Sequence, residues 1–580
     1  MKRDLASGVY KQVMSNSMAC RIAISVVLAG CITAQPLRSL KTVAVPDTPG
    51  LDAYVRDRVA LVALGKAFFW DMQAGSDGRT ACASCHFHAG ADHRAQNEIS
   101  DPNNPFPANV ALTPALFPTR LLADPGNRNS AVLRDSPMRV GSAGTFRRTF
   151  KDIIPGQPAE IGEEVLDHPE FMIGGLQVRR VTIRNSPSVI NAAYYLRSFW
   201  DGRAARVFNG ATISGIASDA PGALLLRDGV LVREPVQLNN ASLASQAVGP
   251  ILDGLEMSYA GRTWAKLGKK MFTLQPLALQ RVSPDDSVLG SMAQLDGRGL
   301  TKGYLELVRA AFQPSLWEAG EVVDGEYAQA EMNFPLFWGL ALQAYQSTLL
   351  SNDSRLDRFL DGDNAALTAQ EQEGMRLFQT TGRCTTCHGG AELSAATFSN
   401  NGGRGNRAFQ RTGVRDPGED AGSGGGSFKS IGLRNIELTG PYFHNGGQAT
   451  LEQVVDFYVR GGDFGNNAIR PFNVSATQKA ALVAFLKALT DDRVRYERAP
   501  FDHPELCVAS GSVEDRPGVL IAAPAPPFVR SSKENWIGIG PVGAAGNKFP
   551  LQTFDELLQG IGADGSRVNA MSEVCTAPLP

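Results

Sequence analysis

LGKAFFWDMQAGSDGRTACASCH, residues 64–86, and GMRLFQTTGRCTTCH, residues 374–388, carry one pattern twice: Gly-x-x-x-Phe, a polar stretch, then Cys-x-x-Cys-His. Apolar residues from Leu61 to Trp70 recur at helical spacing, so a helix runs up to the first cysteine pair. Thr368 with Glu371 three residues on reads as a capping box that starts the second helix. Cys-x-x-Cys-His is the attachment signal of c-type haem. Two cysteines three apart reach the two vinyl groups of a porphyrin as thioethers, and the adjacent histidine stands beneath the iron. A zinc site would want a partner pair nearby, but the second pair lies 302 residues on. A thioredoxin-like dithiol would want a βαβ setting, and the surroundings read as helical. The period is too long and the copy number too low for a solenoid. The pattern therefore predicts two related domains, each with one covalent haem, held at Cys82, Cys85 and His86 and at Cys384, Cys387 and His388.

The rest of the chain fits that reading. It has 580 residues, 43% hydrophobic and 20% charged, which excludes a largely disordered chain and a polytopic membrane protein. A domain runs to roughly 100–200 residues, so two to four are expected. The net charge of −2 offers no basic surplus for nucleic acid. Eight cysteines are too few for a disulfide scaffold of this length. Lys2, Arg3, Lys11 and Arg21 face one acid, Asp4, in residues 1–30. The apolar run Ile22–Gly30 is too short for a bilayer, which takes about 20 residues, and fits the core of an export signal. Leu28-Ala29-Gly30-Cys31 resembles a lipoprotein cleavage box, with Cys31 as the lipidated mature N-terminus. A cut after Ala34 is the alternative, and Met18 is a second candidate start. Cys20 falls within the removed signal. The expected place is the periplasm, on an outer-membrane lipid anchor that is the only membrane contact.

The expected divisions are 1–30, signal; 31–350, first haem domain with insertions; 351–495, second haem domain; and 496–580, an irregular extension. Residues 95–160, rich in Pro, Asn, Asp and Gly, read as a loop region with short helices. Residues 181–206 read as a loop feeding a helix. An insertion at 207–240 contains a hairpin, Leu224–Val232, turning on Asp228-Gly229. Residues 300–350 are strongly helical, 398–427 form a glycine-rich flexible loop, and Ala476–Leu489 is an amphipathic helix. Cys507 and Cys575 pair as a disulfide in an oxidising compartment.

The order of the further motifs resembles the bacterial di-haem cytochrome c peroxidase/MauG family over residues 58–495. LGKAFFWD precedes the first haem motif. RNSPSVINAAY, FWDGRA and QAVGPILDGLEM follow it, and FKSIGLRNIELTGPYFHNGG and LEQVVDFYVRGG follow the second. The resemblance implies an all-α fold of two cytochrome c-like domains with haems facing across an interface. It implies that Gln246, Pro250 and Glu256 form the distal pocket of the His86 haem. There a carboxylate can take a proton from the near oxygen of hydrogen peroxide and return it to the far one. Trp200 matches a tryptophan that relays electrons between the haems. Classical members ligate the second iron with a methionine, which raises its potential. Here no methionine occurs between His444 and Met571, and Tyr458 takes the place of the tyrosine ligand of MauG-like members. That implies a low potential and no activation by pre-reduction. The first iron is expected open, since His88 and His93 are too near the motif to reach the opposite face; His168 is the alternative ligand. His444 is expected to be structural or to meet a propionate, and His503 to lie on the surface. Asn185, Thr439 and Pro441 match residues that hold calcium between the domains, and oxygen donors suit that ion.

The implied reaction is H2O2 + 2e⁻ + 2H⁺ → 2 H2O at the His86 haem. Electrons enter near the His388 haem from a small redox carrier, a cytochrome c or a cupredoxin. One rival is a MauG-like enzyme that oxidises a protein side chain or organic substrate through high-valent iron. The other is a non-catalytic di-haem electron carrier, against which Glu256 and an open iron speak.

Overall fold

The computed structural model describes residues 35–95, 99–100, 111–173, 176–217, 222–319, 322–323, 325–401, 408–420, 422–512, 534–562 and 575. The export signal, Cys31 and Met571 lie outside the described residues.

Seven helices position the site: α1 (Arg58–Trp70), α2 (Ser242–Ala247), α3 (Tyr304–Ala311), α4 (Phe334–Gln346), α5 (Ala369–Gln379), α6 (Leu451–Val459) and α7 (Ala476–Lys487). The Asp57 carboxylate starts α1 by accepting from the amides of Val59 and Ala60. The Thr368 hydroxyl and Glu371 carboxylate close the predicted capping box of α5.

The sequence repeat becomes a repeated helix crossing. A Cβ on Gly65 of α1 would lie 1.9 Å from the Ala341 carbonyl oxygen of α4 and 2.8 Å from the Tyr345 Cβ. A Cβ on Gly374 of α5 would lie 2.0 Å from the Ala481 carbonyl oxygen of α7 and 2.7 Å from the Phe485 Cβ. Each glycine lets two backbones touch, and the phenylalanine four residues later packs on the same partner. Phe69 sits 5.4 Å from the Tyr345 ring and Phe378 sits 5.3 Å from the Phe485 ring. Replacing Gly374 by Ala is expected to destabilise the chain by about 1–3 kcal/mol, because backbone cannot step aside as a side chain can. Denaturant unfolding of the holoprotein checks it; an unchanged midpoint would mean that the α5–α7 crossing relaxes freely.

Two large apolar cores result. The first joins α1, α3 and α4 around Phe68, Phe334, Trp338 and Tyr304; the second joins α5, α6 and α7 around Leu377, Phe485 and Leu489. Leu37, which precedes the first domain's helices in the chain, and Leu356 also belong to the second core.

Helices carry the cores, but the fold is not purely helical. Eight two-stranded antiparallel ribbons lie among the described residues. Residues 95–160 hold a short helix of the expected kind, Pro114–Leu116, but also strands: Arg120–Leu122 pairs with Val132–Asp135, and Arg148–Asp152 with Ile161–Glu164 just beyond. The insertion forms its hairpin, β1 (Ala223–Arg227) with β2 (Val230–Glu234), and Asp228 and Gly229 both take positive φ, as a type I′ turn requires. Residues 181–206 form only the short turn Ala192–Tyr194 instead of the expected helix. Their polar groups are committed elsewhere: Asn191 to the Ser351 carbonyl and Trp200 to the Asn185 carbonyl.

The described residues of the C-terminal extension are not wholly irregular. β3 (Leu506–Ser512) pairs with β4 (Glu534–Ile539) and lays Leu506, Val508 and Trp536 into the first core. The Cys507–Cys575 disulfide forms as expected. No helix among the described residues is long and apolar enough to cross a membrane.

Candidate functional site

A cavity of about 890 Å³ is lined by both cysteine–histidine motifs, at the upper end of the roughly 300–1,000 Å³ of ligand pockets. Short turns at Cys82–Cys85 and Cys384–Thr386 bring each cysteine pair and the following histidine to its wall. The Nδ1 of His86 donates to the Gly90 carbonyl at 2.9 Å, and the Nδ1 of His388 to the Leu393 carbonyl at 3.2 Å. A carbonyl can only accept, so the proton sits on Nδ1 and Nε2 keeps its lone pair for a metal. Burial pushes the Cys85 and Cys384 thiols up to about 12. Redox dithiols and thiolate metal sites show the opposite shift. Among the described residues no cluster of three His, Cys, Asp or Glu side chains could hold a metal ion. Neutral paired thiols and an oriented imidazole on one apolar cavity fit a thioether-bound haem at each end.

Gln246 on the last turn of α2, Pro250 and Glu256 stand on the cavity wall with Cys82, Cys85 and His86. The chain turns back after Pro250–Leu252, and the Glu256 amide donates to the Asp253 carbonyl at 3.2 Å. Gly144 permits this turn to lie close: a Cβ there would be 2.0 Å from the Leu255 carbonyl oxygen. The charge of Glu256 reaches both thiols and helps to raise them, which places the carboxylate near the first motif. Burial, and then the Asp253 carboxylate, push Glu256 up to about 7, with Arg203 opposing. Such a group can accept and release a proton near neutral pH.

Trp200 is buried on the same cavity, its indole N–H donating to the Asn185 carbonyl at 2.7 Å. Its ring stands edge-on to His444 at 6.2 Å. His444 stacks on Phe428 at 3.7 Å, and burial lowers it to about 3, so it is a neutral packing element. Asn185, Thr439 and Pro441 all line the cavity, and the Asn185 amide N–H donates to the Pro441 carbonyl. Holding calcium there would require the Asn185 amide to turn by half a rotation, so that its oxygen faces the same point.

Tyr458 on α6 lines the cavity, and the Cys384 and Cys387 charges reach its phenol. Its hydroxyl has no hydrogen-bond partner among the described residues, and burial first, then those thiols, push it up. His88 and His93 are buried and stacked at 3.7 Å, away from the cavity. The Nε2 of His88 meets the Gln552 carbonyl at 2.9 Å. The His168 side chain is 64% exposed and outside the cavity. Among the described residues only His86, His388 and His444 line it. His503, expected on the surface, is buried instead: it stacks on Trp70 at 4.5 Å and pairs with Glu497 at 3.1 Å. The strand-forming extension carries it inward.

Sequence reasoning missed Lys429, which lines the cavity 6% exposed. Its ammonium lies 3.8 Å from the Tyr195 ring centroid, donates to the Arg197 carbonyl at 3.4 Å, and has no ion-pair partner among the described residues. Burial lowers it to about 7. A lysine within FKSIGLRN carries no signal of burial, so nothing in the sequence marks it.

A family model of di-haem cytochrome c peroxidase matches residues 59–365. The cytochrome-c peroxidase IdrP2 of Denitromonas iodatirespirans is 36% identical over 178 residues, 26% of this chain and 47% of that protein. The methylamine utilization protein MauG of Methylorubrum extorquens is 32% identical over 152 residues, 26% of this chain and 42% of that protein. The chain spans about half the length of these curated relatives. Among solved structures, a MauG-like protein associated with microbial copper homeostasis is similar at 20% identity and a TM-score of 0.44, over 80% of this chain and 96% of that one.

Proposed function

The chain belongs to the di-haem cytochrome c peroxidase family, and on that premise we propose that it reduces hydrogen peroxide to water at the His86 end of the cavity. The observation that carries the reading is Glu256: a carboxylate held near neutrality on the wall shared by Cys82, Cys85 and His86. When bound, the first haem would supply an iron that binds peroxide and gives up the electrons that break its O–O bond; the chain supplies the rest. Glu256 takes the proton from one peroxide oxygen and delivers it to the other, which then leaves as water. Gln246 holds the peroxide by a hydrogen bond. Trp200, on the wall of the cavity that both motifs line, would carry electrons between the two haem sites. Cys384, Cys387 and His388 would hold the second haem, and Tyr458, on the same cavity wall, would offer it a phenol oxygen. Lys429, buried without an ion-pair partner among the described residues, would meet the carboxylates of a bound haem. Asn185, Thr439 and Pro441 hold calcium at the junction. A cytochrome c or cupredoxin delivers electrons near His388. The chain is exported and tethered in the periplasm through a lipid on Cys31.

An EPR and optical titration of the oxidised holoprotein with peroxide, without reductant, tests this. A high-spin ferric signal that disappears with one equivalent is expected. Two low-spin signals indifferent to peroxide until one haem is reduced would overturn both the open first site and the Tyr458 ligand.

The unpartnered phenol of Tyr458 favours a second reading, a MauG-like oxidation of a protein or organic substrate. In that case the oxidised state outlives a reduced cytochrome c or cupredoxin and is quenched by the substrate instead.

A further inference from the structure

The two halves of the repeat differ at one place behind the cavity. The Gly–Phe alignment sets Trp70 against Gln379, and Tyr345 against Phe485. Only the first half therefore carries two oxidisable rings there. The Trp70 indole N–H donates to the Tyr345 hydroxyl at 2.9 Å, and the two residues are 4% and 2% exposed. One phenyl ring separates them from the first haem ligand: Phe69 lies 6.3 Å from His86, 5.9 Å from Trp70 and 5.4 Å from Tyr345.

Their surroundings are negatively charged. Lys66, which the alignment sets against Met375, donates to Asp286 at 2.8 Å and to Asp502 at 3.2 Å, all three fully buried. One ammonium thus faces two carboxylates, and Asp286 Oδ2 has no hydrogen-bond partner. Both carboxylates reach the Tyr345 phenol and help burial to hold its proton on. A buried surplus of negative charge costs stability, yet it stabilises a positive charge that forms beside it, strongly so in a dry interior. His503, stacked on Trp70, is paired with Glu497, so it brings no cation without an anion.

We propose that Trp70, hydrogen-bonded to Tyr345, is a redox site that gives one electron to the first haem when peroxide has reacted and no external donor is at hand. The proposal rests on the peroxide reading above. Peroxide would take two electrons from the first haem site as its O–O bond breaks, one oxygen leaving as water with both of the peroxide's protons and the other staying at that site until further electrons and protons arrive. Trp70 then returns one electron to that site. The indole becomes a radical cation and keeps its N–H proton in the bond to Tyr345; no bond forms or breaks. Such a residue drains an oxidising equivalent away from the cavity wall.

The test uses the full-length holoprotein grown with ring-deuterated tryptophan, mixed with one equivalent of peroxide without donor and frozen rapidly. The Soret band reports whether peroxide reacted, and EPR reports an organic radical. The expected result is a Soret shift with a radical narrowed by the deuterons, lost in Trp70→Phe and retained in Trp200→Phe. A Soret shift with a radical that survives in Trp70→Phe overturns the proposal and leaves the peroxide reading standing. An unmoved Soret band takes both down. Peptide mapping of the unmutated holoprotein after repeated peroxide needs no variant. Oxygen incorporation at Trp70 in excess of Trp338 and Trp264 supports the proposal, and equal or absent incorporation overturns it.

Discussion

Glu256→Gln is expected to slow peroxide reduction by about 10²–10⁴-fold with both haems still attached, the usual contribution of a positioned acid–base group. Glutamine keeps the size and a hydrogen-bonding oxygen but cannot carry the proton between the two peroxide oxygens. The pH dependence gives the sharper check. The carboxyl is raised to about 7, first by burial and then by Asp253. Only its deprotonated form can take the first proton. The wild-type rate should therefore rise with pH through about 7 and then level, and the variant should lose that limb. Asp253→Asn removes a like charge and should move the limb to lower pH. Steady-state turnover across pH, with haem content measured alongside, decides it. A variant with wild-type turnover would remove Glu256 from the mechanism.

Lys66→Met is expected to destabilise the holoprotein by about 3–5 kcal/mol, the cost of leaving buried charge uncompensated. Methionine fills nearly the same volume, so packing is not the main loss. Asp502 would keep its hydrogen bonds from the Ser287 amide and hydroxyl, and Asp286 those from the Val288 and Leu289 amides. Neither would keep a cation. Lys66→Met combined with Asp286→Asn should recover part of the loss, because one charge is then gone. Denaturant unfolding with an unchanged slope reads both variants. Equal stability of wild type and Lys66→Met would show that the surplus charge is neutralised from elsewhere.

Much of the site was legible because its signals are short. A haem motif lies within five residues, a capping box within four, and a two-residue hairpin turn is written in Asp228-Gly229. These interactions close within a turn of chain, so the residues that make them are neighbours in sequence. The Gly-x-x-x-Phe repeat was visible too, although its cause was not. Gly65 and Gly374 are required by a carbonyl on a helix far along the chain.

The sequence by itself determined the two haem motifs, the duplicated helix that delivers each, the hairpin and the cysteines of the disulfide. The tertiary structure alone decided what depends on distant segments meeting. It set the strand at 506–512 against the first motif, buried His503 on Trp70, and joined Lys66, Asp286 and Asp502 from three parts of the chain. It also set the acidity of Glu256. A glutamate is an ordinary acid in the sequence, and only its removal from water beside Asp253 brings it to neutrality.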